Sequence, residues 1–282
     1  MALSFYRTDL SALVQCIFLC YANYEKAKDM KIQGAKVFIT GGNRGIGLAL
    51  ARAFREAGAK VTIGVRDAKV ASDFPCVELD LASRESIERA LPILEAEKFD
   101  ILVNNAGLLT GGLLEDQTIE EIYSMFQVNL LGLVHLTRCL LPGMLMRDRG
   151  LVINNSSVSG VMNFPMASTY SAAKSGVYAF TRCLAQELRG TGVSTLVMVT
   201  PGVKTRMYDE IPKKYGAKLD LQFIEGAISA EEWAQAVIQA VREGREILEP
   251  KGFSGLGVFL ARHTPSFFNR FVSTKFRRGG LN

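Results

Sequence analysis

Three observations predict an α/β fold for this chain, a doubly wound parallel sheet with helices on both faces. Short apolar runs alternate with longer segments of helical period from Lys36 to Leu248. The runs lack a polar face, as strands covered on both sides must. A glycine-rich turn sits between the first run and the first helical segment. No period of roughly 20–50 residues recurs, which excludes a solenoid.

The elements follow in order. Val37-Phe38-Ile39 is the first strand, and a helix from Ile46 to Ala57 is ended by Gly58. Val61 to Val65 and Cys76 to Leu79 are the second and third strands, with an amphipathic helix from Ser83 to Ala96. Ile101-Leu102-Val103 leads to a long helical region, Ile119 to Leu145. Leu151-Val152-Ile153 precedes a helix from Ser168 to Arg189. Val193 to Val199 is the sixth strand, Ala230 to Arg242 a helix, and Glu246-Ile247-Leu248 a seventh strand.

The 282 residues suit one catalytic domain, read as 31–250, with an N-terminal segment 1–30 and a C-terminal extension 251–282. Five cysteines without a paired framework suggest a reduced, cytoplasmic protein. Two histidines and no Cys/His cluster argue against a metal site. The net charge is +5, yet residues 251–282 alone carry Lys251, Arg262, Arg270, Lys275, Arg277 and Arg278 with no acid. That +6 leaves the rest of the chain at −1, so nothing in the body points to nucleic acid. The apolar run Leu10 to Ala22 is shorter than the ~20 residues of a spanning helix. It reads as an interfacial anchor, a helix packed on the domain, or sequence upstream of a start at Met30.

The first turn is Thr40-Gly41-Gly42-Asn43-Arg44-Gly45-Ile46-Gly47. Glycines there let the backbone approach a pyrophosphate, and the next helix offers it free N–H groups. Gly41, Asn43, Arg44, Gly45, Ile46 and Gly47 are therefore candidate dinucleotide contacts, and the fold is predicted to be of Rossmann type. At the tip of the second strand, where an NAD site places a carboxylate, stands Val65, followed by Arg66. Arg44 and Arg66 could clamp a 2′-phosphate, which favours NADP(H) over NAD(H). Asp67 keeps the alternative open, since it could hold a ribose hydroxyl instead.

Further motifs complete a pattern. Asn104-Asn105-Ala106-Gly107 follows the fourth strand, Tyr170-Ser171-Ala172-Ala173-Lys174 opens a helix, and Ser157 lies thirteen residues before Tyr170. With Asn129 and Pro201-Gly202-Val203-Lys204-Thr205, the chain from about Lys31 to Pro250 resembles the short-chain dehydrogenase/reductase family. The resemblance implies that Ser157, Tyr170, Lys174 and Asn129 are catalytic, Asn129 positioning a water that links Lys174 to solvent. It also implies that Asp80 and Leu81 meet the adenine and that Asn105, Ala106 and Gly107 line the cofactor. Tyr170 and Lys174 would reach its nicotinamide ribose, and Pro201, Gly202, Val203 and Thr205 its carboxamide end. Family members commonly form homodimers or homotetramers through the long helices.

Tyr170 and Lys174 are four apart and share one helix face. A tyrosine titrates near ~10, a poor base at neutral pH. An ammonium about 4 Å away, at an effective dielectric near 20, would stabilise the phenolate by ~4 kcal/mol. The tyrosine is then expected to fall well below its ordinary value, into the range of general acid/base catalysis. Ser157 would hydrogen-bond the substrate oxygen as charge develops.

The tail departs from the bacterial reductases of the family. Thr264-Pro265 reads as a helix start, and Phe267, Phe268, Phe271, Val272 and Phe276 are expected on one face, with Gly279-Gly280 as the stop. Such a basic amphipathic helix suits a peripheral membrane contact or an acidic partner, and equally a helix that packs its phenylalanines on the domain or covers the substrate cleft. Met207 to Ile228, the expected substrate loop, is rich in apolar residues. The expected activity is an NADP(H)-dependent carbonyl reductase or alcohol dehydrogenase with a small hydrophobic substrate. The alternatives are a steroid, retinol or acyl-chain dehydrogenase, and a non-catalytic NADP-binding adaptor at the membrane.

Overall fold

Seven strands form one parallel sheet: β1 (Lys36–Thr40), β2 (Lys60–Val65), β3 (Cys76–Glu78), β4 (Ile101–Asn104), β5 (Gly150–Ser157), β6 (Val193–Thr200) and β7 (Ile247–Leu248). Their spatial order is β3-β2-β1-β4-β5-β6-β7. The order reverses between β1 and β4, and a crevice opens there at the carboxyl ends of the strands. The computed structural model describes residues 30–69, 72–221 and 226–280. The run Leu10 to Ala22, and with it the role of residues 1–29, lies outside the described residues.

Alternation along β1 shows why the sheet needs helices on both sides. Val37 and Ile39 point into one apolar core with Leu50, Phe54, Trp233 and Val237. Phe38, between them, points into the other with Ile87, Leu94, Leu136 and Leu184. The first core is covered by α1 (Gly45–Glu56) and α6 (Ala230–Arg242). The second is covered by α2 (Arg84–Glu97), α3 (Ile119–Met146) and α4 (Ser168–Glu187). A short helix, α5 (Ile211–Tyr215), lies in the substrate loop.

Side-chain caps mark three of the eight helix starts. The Ser83 hydroxyl accepts from the Ser86 N–H, Thr118 and Glu121 form a reciprocal capping box, and the Ser229 hydroxyl accepts from the Glu232 N–H. Helix α3 is interrupted by a π turn, Gln127–Leu131, which the apolar period did not predict.

The tail holds two helices, not one. Residues of α7 (Gly252–His263) were not expected to be helical, because three glycines lower the propensity of that stretch. Packing supplies what propensity lacks: Val258 is buried, and Gly257 lies against the end of the Met162 side chain. The second helix, α8 (Pro265–Thr274), starts where expected but stops well before Gly279. The expected single apolar face is therefore corrected. Phe268 and Val272 are buried, Phe267 and Phe271 are exposed, and Phe276 lies past the helix, paired with Leu219.

Candidate active site

Helix α1 begins at the crevice with its first turn uncapped by any side chain. Arg44 at its N-cap makes no side-chain cap, and the first turn has no acid. The free N–H groups and the positive end of the helix thus face the crevice. Gly41 and Gly45 both have positive φ, +65° and +53°, which favours glycine. At Gly47 a Cβ would stand 2.2 Å from the Gly41 carbonyl oxygen and 2.6 Å from Asn105 Nδ2. These features fit a cradle for a pyrophosphate, with the backbone exposed where a ligand oxygen would come. Arg44 and Arg66 stand exposed at the same end and make no ion pair among the described residues. Asp67 also lines the cavity, and its Oδ1 accepts from the Lys69 N–H.

A buried polar network ties the strand ends together. Thr40 Oγ1 accepts from the N–H groups of Asn105 and Ala106. Asn105 Nδ2 donates to the Thr40 carbonyl, and its Oδ1 accepts from Asn155 Nδ2. Asn155 Oδ1 accepts in turn from the Thr200 hydroxyl at 2.6 Å. One chain of side chains thus crosses β1, β4, β5 and β6 and fixes the floor of the crevice. Thr40, Asn155 and Thr200 were not among the expected site residues. Their signal in the sequence is polar residues closing otherwise apolar strands.

Ser157 ends β5, and α4 brings Tyr170 and Lys174 over it. The Tyr170 hydroxyl lies within reach of Ser157, which favours its ionised form. Ser157 Oγ also accepts from the Ser159 N–H. Lys174 is only 4% exposed, and its Nζ donates to the Asn155 carbonyl at 2.8 Å. Ser156 Oγ donates to the Lys174 carbonyl and so fixes α4 against β5.

The electrostatics differ from expectation. Burial raises Tyr170 above its ordinary value, and Ser157 only partly opposes it. Lys174 does not pull the phenol down, because its ammonium is turned to the Asn155 carbonyl and lies 5.9 Å from the tyrosine ring centre. Lys174 itself is lowered from 10.5 to about 8 by burial. In the protein alone, Tyr170 is therefore held as the acid.

One cavity of about 1090 Å³ is lined by the glycine turn, Arg66, Asp80, Leu81, Asn105 to Gly107, Ser157, Tyr170, Lys174, Pro201 to Val203 and Thr205. Every expected site residue except Asn129 lines it. Asn129 is buried in the π turn, where Nδ2 donates to the Leu108 carbonyl and Oδ1 accepts from the Leu108 N–H. Its side chain thus grips the peptide beside Gly107, whose Cβ would meet both Asn129 Oδ1 and Lys174 Nζ. Thr205 touches the Gly45 position and closes the cradle from the β6 side. The other half of the cavity is apolar, with Leu109, Phe164, Tyr215, Leu219, Leu221 and, from the tail, Phe268.

Comparison with known proteins agrees with this geometry. The family model described as short chain dehydrogenase matches residues 35–216. The chain is 30% identical over 272 residues to dehydrogenase/reductase SDR family member 7B of Rattus norvegicus, covering 88% of this chain and 83% of the relative. It is 37% identical over 184 residues to the 3-oxoacyl-acyl-carrier-protein reductase FabG of Vibrio cholerae, covering 61% and 75%. A short-chain dehydrogenase of Streptomyces avermitilis superposes with a TM-score of 0.73 at 26% identity, covering 86% and 96%. The chain belongs to the short-chain dehydrogenase/reductase family, oxidoreductases that bind NAD(P)(H) and small substrates on a Rossmann-type sheet.

Proposed function

We propose that this protein is an NADP(H)-dependent carbonyl reductase or alcohol dehydrogenase acting on an apolar substrate. One observation carries the reading. Ser157, Tyr170 and the buried Lys174 sit where a glycine cradle meets an apolar chamber, in a single cavity. The cradle, Arg44 and Arg66 would hold the cofactor, which when bound supplies or accepts the hydride. Exposed guanidiniums at the adenosine end support NADP(H) over NAD(H).

The side chains divide the proton work. Ser157 donates a hydrogen bond to the substrate oxygen and fixes its position. Tyr170, kept protonated by burial, gives its proton to that oxygen as it gains charge. The Lys174 ammonium, one helical turn away, is held by the Asn155 carbonyl in the protein alone and would stabilise the phenolate left behind once turned toward it. Likeness to a 3-oxoacyl reductase supports carbonyl reduction. The intact acid set speaks against a non-catalytic adaptor, which has no need of it.

The test is to follow NADPH oxidation by the purified protein against medium-chain aldehydes, ketones and steroid carbonyls. Tyr170→Phe is expected to lower kcat by roughly 100-fold or more, in line with general acid catalysis. Unchanged turnover in that variant rejects the mechanism.

Two features support a reading of how the enzyme is held. Ile119, Tyr123 and Leu131 are exposed on α3, an apolar face suited to a homodimer or homotetramer. A monomer in analytical ultracentrifugation would contradict that. Phe259, Phe267 and Phe271 are exposed on the tail beside basic residues, which supports a cytoplasmic enzyme in peripheral contact with a membrane.

A further inference from the structure

The four residues after α8 add a second tie between two parts of the molecule already joined where the Tyr215 hydroxyl donates to the Thr110 carbonyl. Lys275 to Arg278 run antiparallel to residues 218–220. The Asp220 N–H donates to the Lys275 carbonyl at 2.9 Å, and the Arg277 N–H donates to the Lys218 carbonyl at 2.8 Å. Leu219 and Phe276 face each other across this bridge, and the Lys275 ammonium lies 3.1 Å from the Asp220 carboxylate. One residue further on, the Arg278 guanidinium donates to the carboxylate of Glu115, 163 positions earlier in the chain.

Of these two anchor points, Leu219 lines the apolar half of the cavity, and Glu115 lies in a turn outside its lining. Leu219 lines the cavity and is buried with Tyr215 and Ala167, and Phe276 packs on that cluster from behind. Glu115 belongs to the turn Leu114–Asp116. That turn leads into Gln117, whose side chain accepts from the Thr169 hydroxyl at 2.7 Å and donates to the Gly112 carbonyl. Thr169 precedes Tyr170. None of Lys275 to Arg278 is among the residues that line the cavity.

We propose that Lys275 to Arg278 form a strap that fixes the Leu219 wall of the cavity relative to the turn before α3, so that Phe276 and Arg278 act as positioning residues for the chain of an apolar substrate. An exposed ion pair holds little by itself. The two backbone hydrogen bonds and the packing of Phe276 hold the strap to Leu219, and Arg278 determines where its end is fixed. The substrate part of the proposal rests on the cavity being the hydride-transfer site, whereas the strap itself does not.

The experiment uses the full chain with Phe276→Ala, Phe276→Leu, Arg278→Glu and the swap Glu115→Arg/Arg278→Glu. Hydrogen exchange by mass spectrometry reads the peptides containing Asp220 and Arg277. Kinetics with NADPH compare butanal and dodecanal. Arg278→Glu should speed exchange by roughly 3- to 5-fold, the scale of an exposed pair, and the swap should reverse it. Phe276→Ala should speed it by about 10-fold or more, with Phe276→Leu close to wild type. In both damaged variants KM for dodecanal should rise several-fold more than KM for butanal, with little change in kcat. A merely structural role would move both aldehydes together. Exchange and KM ratio unchanged in Phe276→Ala and Arg278→Glu overturn the proposal, as does a swap that rescues nothing. If the wild type turns over neither aldehyde, the substrate reading fails, while the exchange rates still decide whether the strap exists.

Discussion

Lys174 shows at the scale of one residue how the site opposes the stability of its own fold. It is buried with one acceptor among its neighbours, the Asn155 carbonyl, and its value falls from 10.5 to about 8. Below pH 8 the folded and unfolded chains both carry the proton, so the full cost of burying the charge is present. Between about 8 and 10.5 the unfolded chain binds more protons, and stability rises with pH. Lys174→Met should therefore stabilise the nucleotide-free protein at pH 7 by about 2 kcal/mol, the desolvation relieved less one hydrogen bond lost. Urea unfolding would show this gain shrinking as pH approaches 10.5, whereas a variant less stable at pH 7 contradicts the account. Arg66 makes a complementary case, exposed and without an ion pair among the described residues. If it holds a 2′-phosphate through charge-assisted bonds, Arg66→Ala should raise KM for NADPH by about 10-fold or more and leave NADH nearly unaffected. Equal changes for the two nucleotides remove the assignment.

At the scale of elements, the strand-turn-helix from β1 to α1 depends on backbone closeness that only glycine allows. A Cβ at Gly47 would press on the Gly41 carbonyl, whereas a Cβ at Gly279 would meet nothing within 4 Å. Gly47→Ala should then cost roughly 1–3 kcal/mol of stability and weaken nucleotide binding, while Gly279→Ala stays within about 0.5 kcal/mol. Thermal melts with and without NADPH would separate these, and a Gly47→Ala protein that binds normally would count against the cradle. This turn and the seven strands were legible in the sequence, because an apolar run buried on both faces leaves a direct trace in composition. Three features left no such trace. Helix α7 contains three glycines and owes its form to packing on Met162, a contact 95 residues away in the chain. The π turn that carries Asn129 depends on a hydrogen-bond shift that leaves the apolar period almost intact. Phe276 matches the helical spacing of Phe268 and Val272 yet lies beyond the last turn, where Leu219 pairs with it. The protonation of Tyr170 was misjudged for a related reason. Spacing puts Lys174 on the same face, but the lysine takes the nearer backbone carbonyl, and burial then dominates.

For the whole molecule, the tail combines uneven charge with uneven exposure. The +6 of residues 251–282 is less free than the sequence implies. Arg262 pairs with Glu249, Lys275 with Asp220 and Arg278 with Glu115, whereas Arg270 has no ion pair among the described residues. The apolar surface is clearer: Phe253, Leu256, Phe259 and Phe267 are all more than half exposed on the two tail helices. A membrane contact made by this surface should draw mainly on apolar insertion, with a smaller electrostatic part of about 1 kcal/mol per free cation near an anionic surface. Deleting the tail would not test this, because Phe268 and Val272 are buried and Phe164 packs edge-on to Phe268 at 6.2 Å. Point changes on the outer face avoid that problem. Vesicles of phosphatidylcholine with phosphatidylglycerol should float the wild-type protein. Phe259→Ser should weaken flotation on every vesicle, and Arg270→Glu only on those containing phosphatidylglycerol, by roughly 5-fold for the lost attraction. Flotation unchanged by both variants would mean that the exposed rings meet something other than lipid. An increase in sedimentation coefficient with protein concentration, abolished by Phe259→Ser, would then assign them to a second copy of the chain.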